Sequence, residues 1–359
     1  MDGLLARGSE KWSTYPPDVL PAFVAEMDFP LAPPVKAALH DAVERDDLGY
    51  VGRLDGLLDA FAGFAARRLG WEIDAAQVTP VTDVMVGVEE LLLELTEPGD
   101  GVIVNPPVYP PYFADIPHVR RRVVEVPLLA GGALDVDGIA RAFEAGARAL
   151  LLCNPHNPTG RVATRDELLA IAAAADASGA WVIADEIHAP LKFPGTEFVP
   201  WLTVSERGAS VTAASKAFNL AGLKLGLVVT PSVRLAPELR FRAGYLGAIA
   251  AEVAFREGDE WLDETLATIA ANHAALPGLL PDGVTVAVPA QASFLAWLDC
   301  RAAGLGDDPA GAFLEHGRVA LQSGLGFGAQ GAGFARLNVG TTRELVEEAV
   351  RRLAAASTR

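Results

Sequence analysis

The chain has 359 residues, of which 51% are hydrophobic, so it is long enough to bury a large core with two subdomains. A formal net charge of −17 argues against nucleic-acid binding, which requires clustered basic side chains. No apolar run approaches the ~20 residues of a membrane-spanning helix, and the first residues lack the features of a signal peptide. We therefore expect a cytoplasmic protein that binds neither nucleic acid nor membrane. Two cysteines and six histidines without ligand spacing predict no disulfide framework and no metal site.

Residues 75–230 alternate short β-type runs with helix-like stretches. We predict strands at 102–104, 122–126, 149–153, 181–184, 210–213 and 225–229. The helices between them are predicted at 83–97, 137–145 and 165–177. Such alternation is typical of an α/β fold with a mostly parallel sheet, in which ligands bind at the carboxyl ends of the strands.

The last hundred or so residues follow a different pattern, which indicates a smaller α+β domain. A long helix is predicted over 250–275, followed by strands at 285–288, 293–298 and 334–339 and a helix at 309–316. We divide the chain into an N-terminal segment that packs with the small domain, a large ligand-binding domain and the small domain, at 1–45, 46–245 and 246–359.

A rigid turn follows the predicted strand 149–153. The string NPHNPTG at 154–160 contains two Asn-Pro pairs and a glycine, and it can aim the Asn157 amide into a cleft at the sheet edge. Asparagines that only cap the next helix are an equally good interpretation of this string by itself.

The string DEIH at 185–188 follows the strand 181–184. A partly desolvated Asp185 carboxylate needs a cationic partner, and a protonated pyridine nitrogen is one candidate. His188 could hydrogen-bond a phenolic oxygen on the same ring. A helix-capping aspartate and an ordinary buried histidine are the alternatives for each residue taken singly.

Lys216 follows a serine among small and apolar residues, and Lys224 lies eight positions further on. The Lys216 amine can form a Schiff base with an aldehyde, and the Lys224 charge can hold a phosphate. Asn157, Asp185, His188, Lys216 and Lys224 together therefore suit one ligand that carries a ring nitrogen, a ring oxygen, an aldehyde and a phosphate.

These motifs resemble the fold-type I, aspartate aminotransferase-like superfamily of pyridoxal-phosphate enzymes, and the resemblance covers almost the whole chain. It implies a seven-stranded sheet, pyridoxal 5′-phosphate as cofactor, Lys216 as catalytic residue, and a homodimer with the active site at the subunit interface. It also implies that Tyr109, with Tyr112 as an alternative, stacks on the cofactor ring. Tyr50 resembles the tyrosine that reaches the neighbouring subunit's phosphate, and Arg336 the arginine that binds the substrate carboxylate beside Asn157 and Tyr109.

The phosphate site departs from the family pattern at Thr82-Asp83-Val84, where small residues or glycine are usual. Asp83 would repel a phosphate dianion unless its side chain turns back to cap the following helix. Ala213 replaces a common phosphate-binding serine. We therefore assign the phosphate to Thr82, Ser215, Lys224 and the backbone amides of the 82–84 loop.

Four strings are similar to the cystathionine β-lyase, or cysteine-S-conjugate β-lyase, branch of this superfamily. They are DVLPAFVAEMDF at 18–29, DEIH at 185–188, SKAFNLAGLK at 215–224 and GDEWL at 258–262. The resemblance implies a carbon–sulfur β-lyase that converts cystathionine or a related thioether of cysteine into a thiol, pyruvate and ammonia. An aminotransferase of the same fold is the alternative, and a decarboxylative outcome or a role as partner of a transcription regulator stays open.

Overall fold

A computed structural model describes residues 2–357 of the chain. Its α-helices are α1 Asp2–Leu5, α2 Glu10–Ser13, α3 Pro33–Glu44, α4 Asp55–Leu69, α5 Val84–Leu95, α6 Pro111–His118, α7 Val136–Glu144, α8 Arg165–Ser178, α9 Ala214–Ala217, α10 Tyr245–Glu257, α11 Asp259–Leu279, α12 Pro309–Ala312 and α13 Arg343–Ser357. Its strands are β1 Leu20–Pro21, β2 Val78–Val81, β3 Gly101–Val104, β4 Arg122–Glu125, β5 Ala147–Cys153, β6 Trp181–Asp185, β7 Gly208–Thr212, β8 Gly226–Val229, β9 Thr285–Val286, β10 Leu295–Asp299, β11 Val319–Ala320, β12 Gln322–Ser323 and β13 Phe334–Asn338.

The large sheet has seven strands in the order β2-β8-β7-β6-β5-β3-β4. Strands β4, β3, β5, β6 and β7 are parallel, and β8 runs antiparallel to both of its neighbours. The predicted α/β architecture with a mostly parallel, seven-stranded sheet is therefore confirmed. The register pairs Cys153 with Asp185, so the two motifs that follow β5 and β6 begin side by side.

Both faces of this sheet are buried, which explains why its strands are apolar without a polar alternation. Along β5, Leu151 and Cys153 pack into the cluster under α5 and α6, while Leu150 and Leu152 pack into the cluster under α7 and α8. Helices on the two sides thus fix the sheet rigidly, and the carboxyl ends of its strands become a fixed platform.

Side-chain caps fix the start of α5, α7 and α8. Thr164 and Glu167 form a reciprocal capping box at the start of α8, and Gly179 ends that helix with a left-handed φ of 65°. Asp83 and Asp135 cap α5 and α7 by a single hydrogen bond, each accepting it from a backbone N–H three residues ahead.

Several elements were absent from the sequence prediction, among them α3, α4, α6, β1, β11 and β12, and two further differences have a local cause. Strand β2 was not predicted, because Pro80 interrupts its pattern; the strand lies at the sheet edge, where a missing N–H is tolerated. The long helix predicted over 250–275 is two helices, α10 and α11, that meet at Gly258. A side chain at Gly258 would clash with the Phe218 ring, since its Cβ would lie 2.4 Å from Phe218 Cε1.

A second, antiparallel sheet has the order β12-β13-β10-β9. Strand β1 of the N-terminal segment pairs with β11 beside it, so Leu20 lies opposite Val319. The domain boundaries at residues 45 and 245 stay a prediction. Among residues 2–357, every helix is too short or too polar to cross a bilayer.

Candidate active site

A cavity of about 360 Å³ lies at the carboxyl ends of β5, β6 and β7, where ligands bind in sheets of this kind. It contains most of the site residues predicted from the sequence. Its lining consists of Val24, Ala25, Asp83, Val84, Met85, Tyr109, Cys153, Asn157, Asp185, Ile187, His188, Ser215, Lys216, Ala221, Lys224, Leu225, Gln322 and Arg336. Thr82 and Tyr50, which were also predicted, are not in this lining.

Asp185 ends β6 and presents a buried carboxylate to the cavity. Burial raises its pKa to about 6, while hydrogen bonds from the Tyr112 hydroxyl group and the Ile187 N–H oppose that rise. Tyr112 Oη donates to Oδ2 at 2.7 Å, and the Ile187 nitrogen donates to Oδ1 at 3.2 Å. The carboxylate is therefore fixed in orientation and mainly ionised at neutral pH.

Asn157 and Arg336 meet across the cavity although 179 positions separate them in sequence. Arg336 Nη1 donates to Asn157 Oδ1 at 2.9 Å, and Nη2 donates to the Phe23 carbonyl oxygen at 3.0 Å. The Nε atom of Arg336 is buried without a hydrogen-bond partner. Within residues 2–357 this guanidinium contacts no carboxylate, so a buried positive charge is left to attract an anionic ligand.

Lys216 lies in α9, directly after β7, and its half-buried side chain lines the cavity. Burial, and next the Arg336 charge, lower its pKa to about 8. The Nζ atom donates a hydrogen bond of 2.9 Å to the Ala25 carbonyl oxygen. A much larger fraction of this amine is neutral at physiological pH than for an exposed lysine, as a nucleophile or base requires.

His188 faces the cavity and is buried. Burial lowers its pKa to about 3, followed by the charges of Lys216 and Arg336, so the ring is neutral. Its Nδ1 atom lies 3.1 Å from the Ser293 hydroxyl oxygen, at the end of the loop before β10. Ser293 has a left-handed φ of 73° and its N–H donates to the Leu191 carbonyl, which fixes the hydroxyl group against the ring.

Asp83, Ser215 and Lys224, which belong to the predicted phosphate site, all line the cavity, and Asp83 and Lys224 are in contact there. The Asp83 side chain caps α5 through Oδ1 only, and its other oxygen, Oδ2, pairs with Lys224 at 3.2 Å, so the cap does not remove the carboxylate charge from the cavity. The Thr82 hydroxyl group instead donates to the Arg242 carbonyl at 2.9 Å, away from the cavity. Thr82 can therefore contribute to a phosphate site only through its backbone.

The three predicted tyrosines have different surroundings. Tyr109 lines the cavity, and its ring meets the fully buried Tyr112 ring edge-on with centroids 5.6 Å apart. This placement favours Tyr109 over Tyr112 as the stacking residue, because the Tyr112 hydroxyl group is engaged with Asp185. Tyr50 is 96% exposed in the single chain and does not line the cavity.

Sequence reasoning missed three contributors to the site. These are the Ala25 carbonyl group, the Ser293 hydroxyl group and the link from Tyr112 to Asp185. A backbone carbonyl has no signature in sequence, and Ser293 lies in an unremarkable loop. The polar hydroxyl of Tyr112 within an otherwise apolar helix face was the one available signal, since a buried phenol needs a partner.

The chain belongs to the aminotransferase class I and II family, whose model matches residues 25–353. A cystathionine beta-lyase of Corynebacterium glutamicum is 39% identical over 372 residues, which cover 99% of this chain and 98% of the relative. A solved structure from Corynebacterium diphtheriae is 36% identical with a TM-score of 0.94, covering 100% of this chain and 98% of the other. Cystalysin of Treponema denticola, whose structure contains pyridoxal 5′-phosphate, is 27% identical with a TM-score of 0.89, covering 97% and 95% of the two chains.

Proposed function

We propose that this protein is a pyridoxal-phosphate-dependent carbon–sulfur β-lyase that cleaves cystathionine or a related cysteine S-conjugate. The observation that carries the proposal is the Lys216 amine, whose pKa burial lowers. It shares one cavity with the Asp185 carboxylate and with an Arg336 guanidinium that contacts no carboxylate among residues 2–357. The full-length similarity to a cystathionine beta-lyase supports the choice of reaction within the family.

The residues of the cavity fit the cofactor. Asp185 supplies a buried carboxylate for a protonated ring nitrogen, and Asn157 and His188 lie where they can address a ring oxygen. Lys216 supplies the amine for the aldehyde. Lys224 and the first N–H groups of α5 are the phosphate donors. When bound, pyridoxal phosphate withdraws electrons from the substrate Cα, which makes its proton acidic and permits loss of a β-substituent.

Arg336 selects and orients the amino-acid substrate. Its planar guanidinium group can bind a carboxylate through two parallel hydrogen bonds, which a lysine cannot do. Nη1 and Nη2 each carry a second N–H beyond the one donated to Asn157 or Phe23, and these can form such a pair. Burial lowers the pKa of Arg336 to about 10, so the group is still cationic at neutral pH. The Phe327 ring, 5.2 Å from the guanidinium carbon, covers its other side.

Lys216 moves the proton. The neutral amine takes the Cα proton of the substrate, the electron pair of that C–H bond forms a Cα–Cβ double bond, and the Cβ–S bond breaks. The sulfur leaves with the electrons of the broken bond and takes up a proton to become the thiol. The enamine released from the site reacts with water to give pyruvate and ammonia. The Ala25 carbonyl oxygen, 2.9 Å from Nζ, holds the amine near the cavity while it carries the proton.

Incubation with cystathionine tests the proposal. We expect equal amounts of pyruvate and free thiol without an added keto acid. We also expect a visible absorbance band that disappears on borohydride reduction, which leaves the cofactor covalently attached to Lys216. Lys216→Ala should lose both. An aminotransferase would require a keto-acid co-substrate and release no thiol, and that outcome would reject the lyase proposal in favour of the other activity typical of this family.

We further propose that the protein works in the cytoplasm as a homodimer in which Tyr50 completes the partner's site. Its almost complete exposure in the single chain supports this role. Mixing Tyr50→Phe chains with Lys216→Ala chains tests the arrangement. If Tyr50 acts across the interface, each mixed dimer contains one site with both substitutions and one site with neither, and activity is regained. Without crossed sites, mixing recovers no activity beyond the average of the two variants.

A further inference from the structure

An acidic side chain, Asp83, occupies the end of the cavity at which a phosphate would bind. Its Oδ1 atom accepts a hydrogen bond of 3.0 Å from the Val86 N–H in the first turn of α5. Its Oδ2 atom accepts one of 3.2 Å from Lys224 Nζ. The Asp83 carboxylate thus engages both the Val86 N–H and the Lys224 ammonium group. Helix N-terminal N–H groups and lysine side chains are the kinds of group that bind phosphate.

The backbone around Asp83 and Lys224 is fixed, so the two side chains meet because the fold places them together. The Asp83–Val84 peptide packs on Gly226, where an added Cβ would lie 2.7 Å from the Asp83 carbonyl carbon. Lys224 has a left-handed φ of 55°, and its carbonyl oxygen accepts a hydrogen bond of 2.7 Å from the Gly244 N–H. The carboxylate therefore cannot leave the phosphate end by a shift of the backbone, and its side-chain cap opposes rotation.

We propose that Asp83 weakens the binding of the cofactor phosphate, by repelling the dianion and by competing with it for Lys224. This inference rests on the proposed function, because it concerns the same cofactor. It assigns to Asp83 a role opposite to that of Lys224 and the first N–H groups of α5, which would hold the phosphate. A phosphate dianion and a carboxylate that share one ammonium group repel each other. Solvent reduces this repulsion, because the Asp83 and Lys224 side chains are both partly exposed. The expected effect is roughly a tenfold loss of cofactor affinity relative to an uncharged residue.

Asp83→Asn removes the charge and keeps the cap, since asparagine caps helices as well as aspartate. Equilibrium dialysis of cofactor-free protein should give a dissociation constant for pyridoxal phosphate roughly tenfold lower than in the wild type, with a smaller difference at high salt. Pyridoxal, which has the same ring and aldehyde but lacks the phosphate, should bind both proteins equally.

Asp135→Asn is the matched control, because Asp135 caps α7 in the same manner and does not line the cavity. It should leave both dissociation constants unchanged. Lys224→Gln should weaken the binding of pyridoxal phosphate. In that background Asp83→Asn should have a smaller effect, because only direct repulsion is left to remove.

Equal or weaker binding of pyridoxal phosphate by Asp83→Asn would overturn the proposal, and weaker binding would assign Asp83 the role of orienting Lys224. An equal gain for pyridoxal would also overturn it, because the effect would then not involve the phosphate. These outcomes leave the lyase proposal intact if the wild-type protein still releases thiol from cystathionine. A wild-type protein that binds no pyridoxal phosphate would overturn both proposals.

Discussion

The Tyr112 hydroxyl oxygen lies 2.7 Å from Oδ2 of Asp185, and both side chains are buried. Tyr112 is held in α6, at the edge of the same apolar cluster that covers the sheet. Burial raises the pKa of Asp185 to about 6, and the donated hydrogen bond counteracts part of that rise. Tyr112 therefore acts as a positioning residue. It fixes the orientation of the Asp185 carboxylate and favours its ionised form.

Tyr112→Phe should raise the pKa of Asp185 further, because the carboxylate loses a donor and stays buried. Since the ionised Asp185 carboxylate is needed to pair with the protonated ring nitrogen, the pKa that governs the acid limb of the kcat/KM profile should rise by about one pH unit. Activity should be lost as the pH falls through this new value. A pH profile of the loaded enzyme measures the shift. Tyr245→Phe, which loses a surface hydrogen bond to Asp47, should leave the profile unchanged. An unchanged limb in Tyr112→Phe would show that the phenol does not act on Asp185.

Attachment of the cofactor should depend on pH through Lys216. Only the neutral amine can attack an aldehyde, and its pKa in the cofactor-free protein is about 8. The rate constant for growth of the visible band after adding pyridoxal phosphate should therefore rise about tenfold per pH unit below that value and level off above it. Stopped-flow absorbance checks this expectation. A rate that keeps rising towards pH 10 would indicate an amine with the ordinary pKa of lysine.

Arg336→Lys should raise KM for the amino-acid substrate by roughly 30–100-fold, because a single ammonium group cannot replace a bidentate pair with a carboxylate. The affinity for pyridoxal phosphate should change much less. Initial rates over a range of substrate concentrations and a cofactor titration measure the two effects. Arg301→Lys is the control, since Arg301 pairs with Asp299 at the surface and its loss should leave KM unchanged. A normal KM in Arg336→Lys would place the substrate carboxylate elsewhere.

A buried ion pair stabilises the N-terminal segment. Lys11 Nζ lies 2.8 Å from Asp28 Oδ2, and Trp12 donates to the other carboxylate oxygen. Lys11→Met leaves a buried charge without its cation, and we expect unfolding free energy to fall by about 3–5 kcal/mol. Adding Asp28→Asn should recover part of the loss, because no unpaired charge then stays buried.

Urea unfolding followed by fluorescence measures these changes. Lys36→Met, at an exposed position of α3, serves as the control and should change stability by less than about 0.5 kcal/mol. If Lys11→Met is as stable as the wild type, the pair contributes little, and the segment must be held by its other contacts, such as those of Arg7 with the carbonyl oxygens of Met27 and Asp28.

The large sheet and the residues that follow its strands could be predicted from sequence, because their signals are local. Asn157, Asp185 and Lys216 each come within a few residues of an apolar run, and parallel strands bring such positions to one edge. Once the strands were assigned in order, no distant contact had to be known to place these three side chains together.

The contacts that tune these residues could not be predicted in this way, because they join distant parts of the chain. Tyr112 and Asp185 are 73 positions apart, and Lys216 and Ala25 are 191 apart. The direction of the Thr82 hydroxyl group likewise depends on the Arg242 carbonyl, 160 positions away. Such contacts follow from how loops from separate elements pack, and the sequence around each residue does not record them.

The segment that carries the Ala25 carbonyl is held by two parts of the chain, the loop after Lys216 and strand β13 of the second sheet. Asn219, from the loop after Lys216, exchanges two hydrogen bonds with Met27, and Asn338 of β13 donates to the carbonyl oxygens of Val24 and Glu26. If strand β13 and the loop after Lys216 moved apart to admit a thioether, the segment between Val24 and Met27 would be displaced. The Ala25 carbonyl oxygen, which accepts the hydrogen bond from Lys216, would move with it. Entry of a substrate would then be coupled to release of the Lys216 amine from the Ala25 carbonyl oxygen.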